Sequence, residues 1–135
     1  MTQEERRTFL ITYLLAECGE KGEIPPDEYG QKRLLRALMN VRRPAPIGED
    51  FLRVQDDYLQ EATTEKGITD LADLQPMRED LYLWQGDITT LRCSAIVNAA
   101  NAQLLGCFIP CHGCIDNAIP YLITHRPITS FKASA

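Results

Sequence analysis

The stretch GDITTLRCSAIVNAANAQLLGCFIPCHGC, Gly86 to Cys114, sets an apolar run, two amides and a cluster of sulfur ligands side by side. Gly86 and Asp87 give a turn signal, Thr89 can cap a short helix, and SAIVNAA reads as a compact β-rich strand buried on both faces. Asn98 and Asn101 follow with only alanines between them, so two amides emerge where a strand turns into a loop. Ligands of open α/β sheets sit at the carboxyl ends of strands, and amides carry both donors and acceptors for sugar hydroxyls. The alternative is that one or both asparagines bond turn backbone. Asp87, at the end of the preceding strand LYLWQ, can accept from an exocyclic amine of a base or simply shape its turn.

CFIPCHGC is the sharpest chemical signal. Cys107, His112 and Cys114 offer two thiolates and an imidazole, a donor set suited to zinc, and Pro110 and Gly113 let a tight loop bend around one ion. Three ligands leave a position open for a water or a substrate oxygen. If Cys111 also ligates, the site closes into a structural one, and the spacing allows both arrangements. Free thiols without metal are the third possibility. Asp116 follows directly, either to orient or deprotonate a water or to cap the helix that begins NAI.

Upstream the period changes. Thr2 and Glu5 have capping-box spacing, and Phe9, Leu10, Tyr13 and Leu14 recur at helical intervals, which predicts a helix from Glu4 to Cys18. Tyr29, Leu34, Leu35, Leu38 and Met39 mark a second amphipathic helix between Pro26 and Pro44. A third begins near Asp50, turns Phe51, Leu52, Val54, Tyr58 and Leu59 inward, and stops at Gly67. These stripes are read as packing surfaces. TDLADL, Thr69 to Leu74, adds a short helical turn.

The chain has 135 residues, 44% hydrophobic and 24% charged, enough for one domain with an appendage. A formal net charge of -5 argues against nucleic-acid binding through phosphate neutralisation. FLITYLLA is too short to span a membrane and is followed by Glu17, and the amino terminus fits a signal peptide poorly, so a cytoplasmic location is expected. In a reducing compartment, clustered cysteines suggest metal before disulfide.

Taken in order, GDIT, AIVNAAN, LLG and CIDNAI resemble the first half of a macrodomain, the α/β/α module that binds ADP-ribose. CFIPCHGC, standing where other macrodomains carry a glycine-rich loop, is similar to the zinc-dependent macrodomains, which remove ADP-ribose from proteins and also carry a helical extension. That group is often encoded beside a sirtuin-type ADP-ribosyltransferase and a lipoylated carrier protein. The resemblance implies that Asp87 and Ile88 hold the adenine and that Asn98 and Asn101 face the distal ribose. It also implies that Cys107, His112 and Cys114 bind Zn2+ and that Asp116 positions water. Asn98, Asn101 and Asp116 are thus the candidate catalytic residues.

The expected organisation is α/β: a helical extension over 1–76, the first part of a macrodomain over 77–119, and a divergent tail over 120–135. After NAI the family continues with a histidine, further strands and a diphosphate-gripping loop, whereas here Pro120 and YLITHRPITSFKASA follow, and the two prolines disfavour a long helix. An incomplete fold is therefore expected, with self-association as one route to completing its sheet. The expected function is protein ADP-ribosyl hydrolysis. The alternatives are an ADP-ribose-binding module without turnover and a small structural zinc protein whose helices form a partner surface.

Overall fold

The computed structural model describes residues 1–20, 22–43, 45–103 and 105–122. Three helices dominate: α1 Gln3–Cys18, α2 Glu28–Val41 and α3 Glu49–Lys66. The helix starts follow local chemistry. Thr2 and Glu5 close the capping box on α1, Asp27 accepts from the Gly30 amide at the start of α2, and Gly67, at φ 88°, ends α3. Leu10, Ile11, Leu14 and Leu15 of α1 meet Leu35 and Leu38 of α2 and Phe51, Val54, Tyr58 and Leu59 of α3 in one buried cluster. The stripes expected from the sequence therefore face inward, with Phe9, Tyr13, Leu34 and Met39 at the margin. Tyr29 and Leu52 are the exceptions: Leu52 is only half-buried, outside that cluster, and Tyr29 is exposed, with the Arg33 guanidinium over its ring. Buried Arg7 donates to Gln31, whose amide donates to the Pro25 carbonyl, so a polar tie joins α1 to the start of α2.

The second half carries little regular structure. β1 (Thr69–Asp70) pairs in parallel with β4 (Leu91–Arg92), and β2 (Pro76–Arg78) pairs antiparallel with β3 (Leu81–Tyr82). Short 3-10 turns cover Leu71–Asp73, as the sequence predicts, and Ile88–Thr90. α4, Ile115–Leu122, follows the cysteine loop and packs on α2. The architecture is thus mixed helix and small sheet, an α/β arrangement consistent with part of a macrodomain-like protein.

Two expectations are corrected here. LYLWQ forms strand only at Leu81–Tyr82, on an exposed hairpin, and SAIVNAA is not a strand at all, with Val97 93% exposed. A buried strand needs ladder partners on its edges and cover on its faces. Among the described residues no strand lies beside Ala95–Val97, and Ala95 and Ile96 line an open groove of about 490 Å³ together with Gln60, Thr64 and Ile68. The second correction concerns the turn after LYLWQ. Asp87, not Thr89, caps it, accepting from the Thr89 amide. Residues 123–135 of the divergent tail lie outside the described residues, and α4 itself runs past Pro120 for one short helix of 8 residues. No described helix is long and apolar enough to cross a membrane.

Candidate functional site

Asn98 and Asn101 converge on one carboxylate. The Asn98 amide nitrogen donates to Asp116 Oδ1 at 2.9 Å, and the Asn101 amide nitrogen donates to Asp116 Oδ2 at 3.3 Å. Asp116 lies in the first turn of α4 and is 7% exposed, so its charge is held in a largely dry place by two neutral donors. Because the helix already begins at Ile115, Asp116 is not its cap, and the capping alternative is set aside. Asn101 bonds turn backbone, the alternative the sequence also allows, in addition to Asp116. Its oxygen accepts from the Gln103 amide in a tight turn, while its nitrogen also bonds the Gly106 carbonyl at 2.8 Å. Asn98 makes no such turn bond among the described residues. Its amide oxygen is buried and without a hydrogen-bond partner, a state that a ligand hydroxyl would relieve.

Backbone chemistry ties this trio to the cysteine loop. Pro120 has no N–H, so the Asp116 carbonyl lacks its donor four residues ahead, and the Cys107 amide takes the place at 3.2 Å. The Sγ atoms of Cys107 and Cys114 and a ring nitrogen of His112 lie within 4.8 Å of one another, with Cys107 Sγ 3.6 Å from His112 Nδ1. Tetrahedral zinc bonded to sulfur and nitrogen at its usual distances separates its ligand atoms by about 3.6–3.8 Å. The Cys107–His112 pair already stands at that edge, and the donor set fits the ion. Cys111 does not join them. At φ 53° its backbone turns toward α2, its amide donates to Asn40 Oδ1 at 3.1 Å and its thiol donates to the Arg33 carbonyl at 3.3 Å. Cys111 thus stands outside the group of three donors that a three-ligand site would use. All five cysteines are free thiols.

Asp87 accepts from the Thr89 hydroxyl at 2.6 Å and from Lys66 Nζ at 3.1 Å. The Thr89 hydroxyl holds its carboxyl below the usual range, burial partly opposes this, and the Thr89 amide and Lys66 add to the lowering. The turn from Ile88 to Thr90 packs between α3 and α4, with Thr89 and Thr90 buried. The apolar periodicity of α2 gives no sign that Arg36, Asn40 and the Arg33 carbonyl reach the cysteine loop. Asn40, a buried amide near the end of that helix, is the one local signal.

No protein-family model matches the chain. It is similar to a protein-ADP-ribose hydrolase of Treponema medium, 58% identical over 125 residues that cover 88% of this chain and 48% of that protein. A protein-ADP-ribose hydrolase of Staphylococcus aureus strain COL is 49% identical over 87 residues, 64% of this chain and 32% of that protein. A probable bifunctional ADP-ribose hydrolase/ADP-ribosyltransferase of Fusarium oxysporum f. sp. cubense is 44% identical over 97 residues, 64% of this chain and 16% of that protein. All three relatives are named as ADP-ribose hydrolases, and this chain spans about half or less of their length.

Proposed function

We propose that this chain carries the ribose-facing and metal-binding part of a zinc-dependent protein ADP-ribosyl hydrolase. The observation that supports this best is the meeting of Asn98 and Asn101 on buried Asp116, with the Asn98 oxygen left unpartnered. That oxygen accepts from a hydroxyl of the distal ribose, and the two amides fix the sugar. The reaction breaks the bond between the anomeric carbon and the protein side chain. Water supplies hydroxide to the carbon and a proton to the departing group, and Asp116 takes the water's proton in transit. Cys107, His112 and Cys114 would hold the zinc, which supplies Lewis acidity toward an oxygen. Asp87 and Ile88 take the adenine end, where Asp87 exchanges Lys66 for the base's amine. The substrate is an ADP-ribosylated protein, with a lipoylated carrier protein as the specific candidate. A reducing cytoplasm keeps the cysteines free for metal. A second copy of the chain, pairing with the exposed strand segments, is the partner that would extend the sheet.

A binding module without turnover is favoured by one feature: both carboxylate oxygens of Asp116 already accept from amides. Calorimetric titration of ADP-ribose into the zinc-loaded chain separates these readings from failure. Saturable binding is expected, weakened about tenfold in Asn98→Ala, the worth of one hydrogen bond. Release of ADP-ribose from a modified protein, lost in Asp116→Asn while binding persists, identifies the hydrolase. Binding without any release identifies the module. A folded, zinc-loaded chain that takes up no ADP-ribose would sink both.

A further inference from the structure

α2 has two working faces. Leu35 and Leu38 enter the core, and on the opposite side Arg33, Arg36 and Asn40 follow one another at helical spacing toward the cysteine loop. Arg36 Nη2 donates to the His112 carbonyl at 3.1 Å and to Asn117 Oδ1 at 2.8 Å, and its Nε adds a third bond to Asn117 Oδ1 at 3.3 Å. Asn117 is 1% exposed, and its amide nitrogen donates to the carbonyls of Cys107 and Ile109 at 3.1 and 3.0 Å. Asn40 holds the Cys111 amide, and the Arg33 carbonyl holds the Cys111 thiol. The Cys114 carbonyl accepts from the amides of Asn117 and Ala118. Each candidate metal ligand therefore has its backbone fixed by a group outside the loop or in the first turn of α4.

We infer that Arg36 and Asn117 are positioning residues that set the Cys107–Cys114 loop in its coordinating shape before any ion arrives, with α2 as the template. The inference rests on the metal-site reading above and adds its cause. A loop of this length has many conformations to lose, and a template that has already removed them leaves more of the metal–ligand bonding to appear as affinity. Outer groups that orient ligands typically account for a 10–100-fold difference in metal affinity. Asn117 is central because its donors and acceptor are all used at once. Arg36 is suited to its place because a planar fork can serve two acceptors in fixed geometry, which an ammonium cannot.

The test uses three variants of the whole chain. Arg36→Met keeps the stem and removes the donors. Asn117→Asp keeps the size and the Arg36 contact but loses the donors to Cys107 and Ile109. Arg33→Met is the control, because the Arg33 contact to the loop is made by backbone. Zinc affinity is read by competition with a chromogenic chelator, and amide exchange over 107–114 is read in the metal-free protein. The first two variants are expected to bind zinc at least about tenfold more weakly and to exchange faster in the loop, with α1 and α3 unchanged and the control like wild type. Loop exchange equal to wild type in both variants overturns the clamp. Faster exchange with undiminished zinc affinity overturns its role in metal binding. Wild-type protein that takes no zinc overturns the metal site itself, while the exchange data still decide whether the loop is clamped. Should Arg36→Met fail to fold, Arg36→Lys, which keeps charge and stem without the fork, reads the same outcomes.

Discussion

Arg42 caps the carboxyl end of α2 and grips Glu17 of α1 with two bonds, Nε to Oε2 at 2.7 Å and Nη2 to Oε1 at 2.9 Å. Hydrogen bonding by Arg42 lowers the Glu17 pKa, against a smaller opposing effect of burial. A carboxylate whose pKa falls on folding stabilises the native state above its unfolded value, about 4.3, and loses that contribution as pH drops through the lowered folded value. Glu17→Gln is therefore expected to cost less than about 1 kcal/mol at neutral pH, since the pair is partly exposed. The gap to wild type should close below about pH 4, which denaturant melts across pH will show; a gap unchanged at low pH would refute the assignment. At this scale the sequence was informative about residue type and silent about partners. Asn98, Asn101, Asp116, Cys107, His112 and Cys114 could be singled out by chemistry and spacing. The Lys66 partner of Asp87 and the Arg36–Asn117 contact could not, because they join residues far apart in the chain.

Helices were legible as whole elements because their signals are local. The Thr2 hydroxyl accepts from the Glu5 amide and the Glu5 carboxylate from the Thr2 amide, both within the first turn. Thr2→Ala removes half of this box and is expected to destabilise the chain by about 1 kcal/mol, lowering its melting temperature by about 3–5 °C. An unchanged melting curve would mean that this end frays without consequence. Strands are not legible in this way, for the complementary reason. LYLWQ and SAIVNAA have the composition of buried strands, yet a strand is completed by a neighbour, and the described residues supply only two-residue and three-residue pairings. The Cys111 turn was hidden in the same way, since its positive φ answers to Asn40 and Arg33 rather than to adjacent residues.

For the molecule as a whole, the packed core and the candidate metal-ligand group are separate. Every residue of the buried cluster belongs to α1, α2 or α3, whereas Cys107, His112 and Cys114 lie in the loop before α4. Stripping metal with a strong chelator is therefore expected to leave the helical circular dichroism at 25 °C intact while loop amides exchange faster. Loss of the helical signal on chelation would instead mark a small structural zinc protein, unfolded without its ion.

The bonds from α2 to the cysteine loop span long stretches of chain: Asn40 to Cys111 is 71 residues, Arg36 to His112 is 76, and Arg33 to Cys111 is 78. Closing loops of that length comes after the local contacts that build helices. The loop is therefore expected to dock on an α2 that local contacts have already formed, so that the candidate metal ligands converge late in folding.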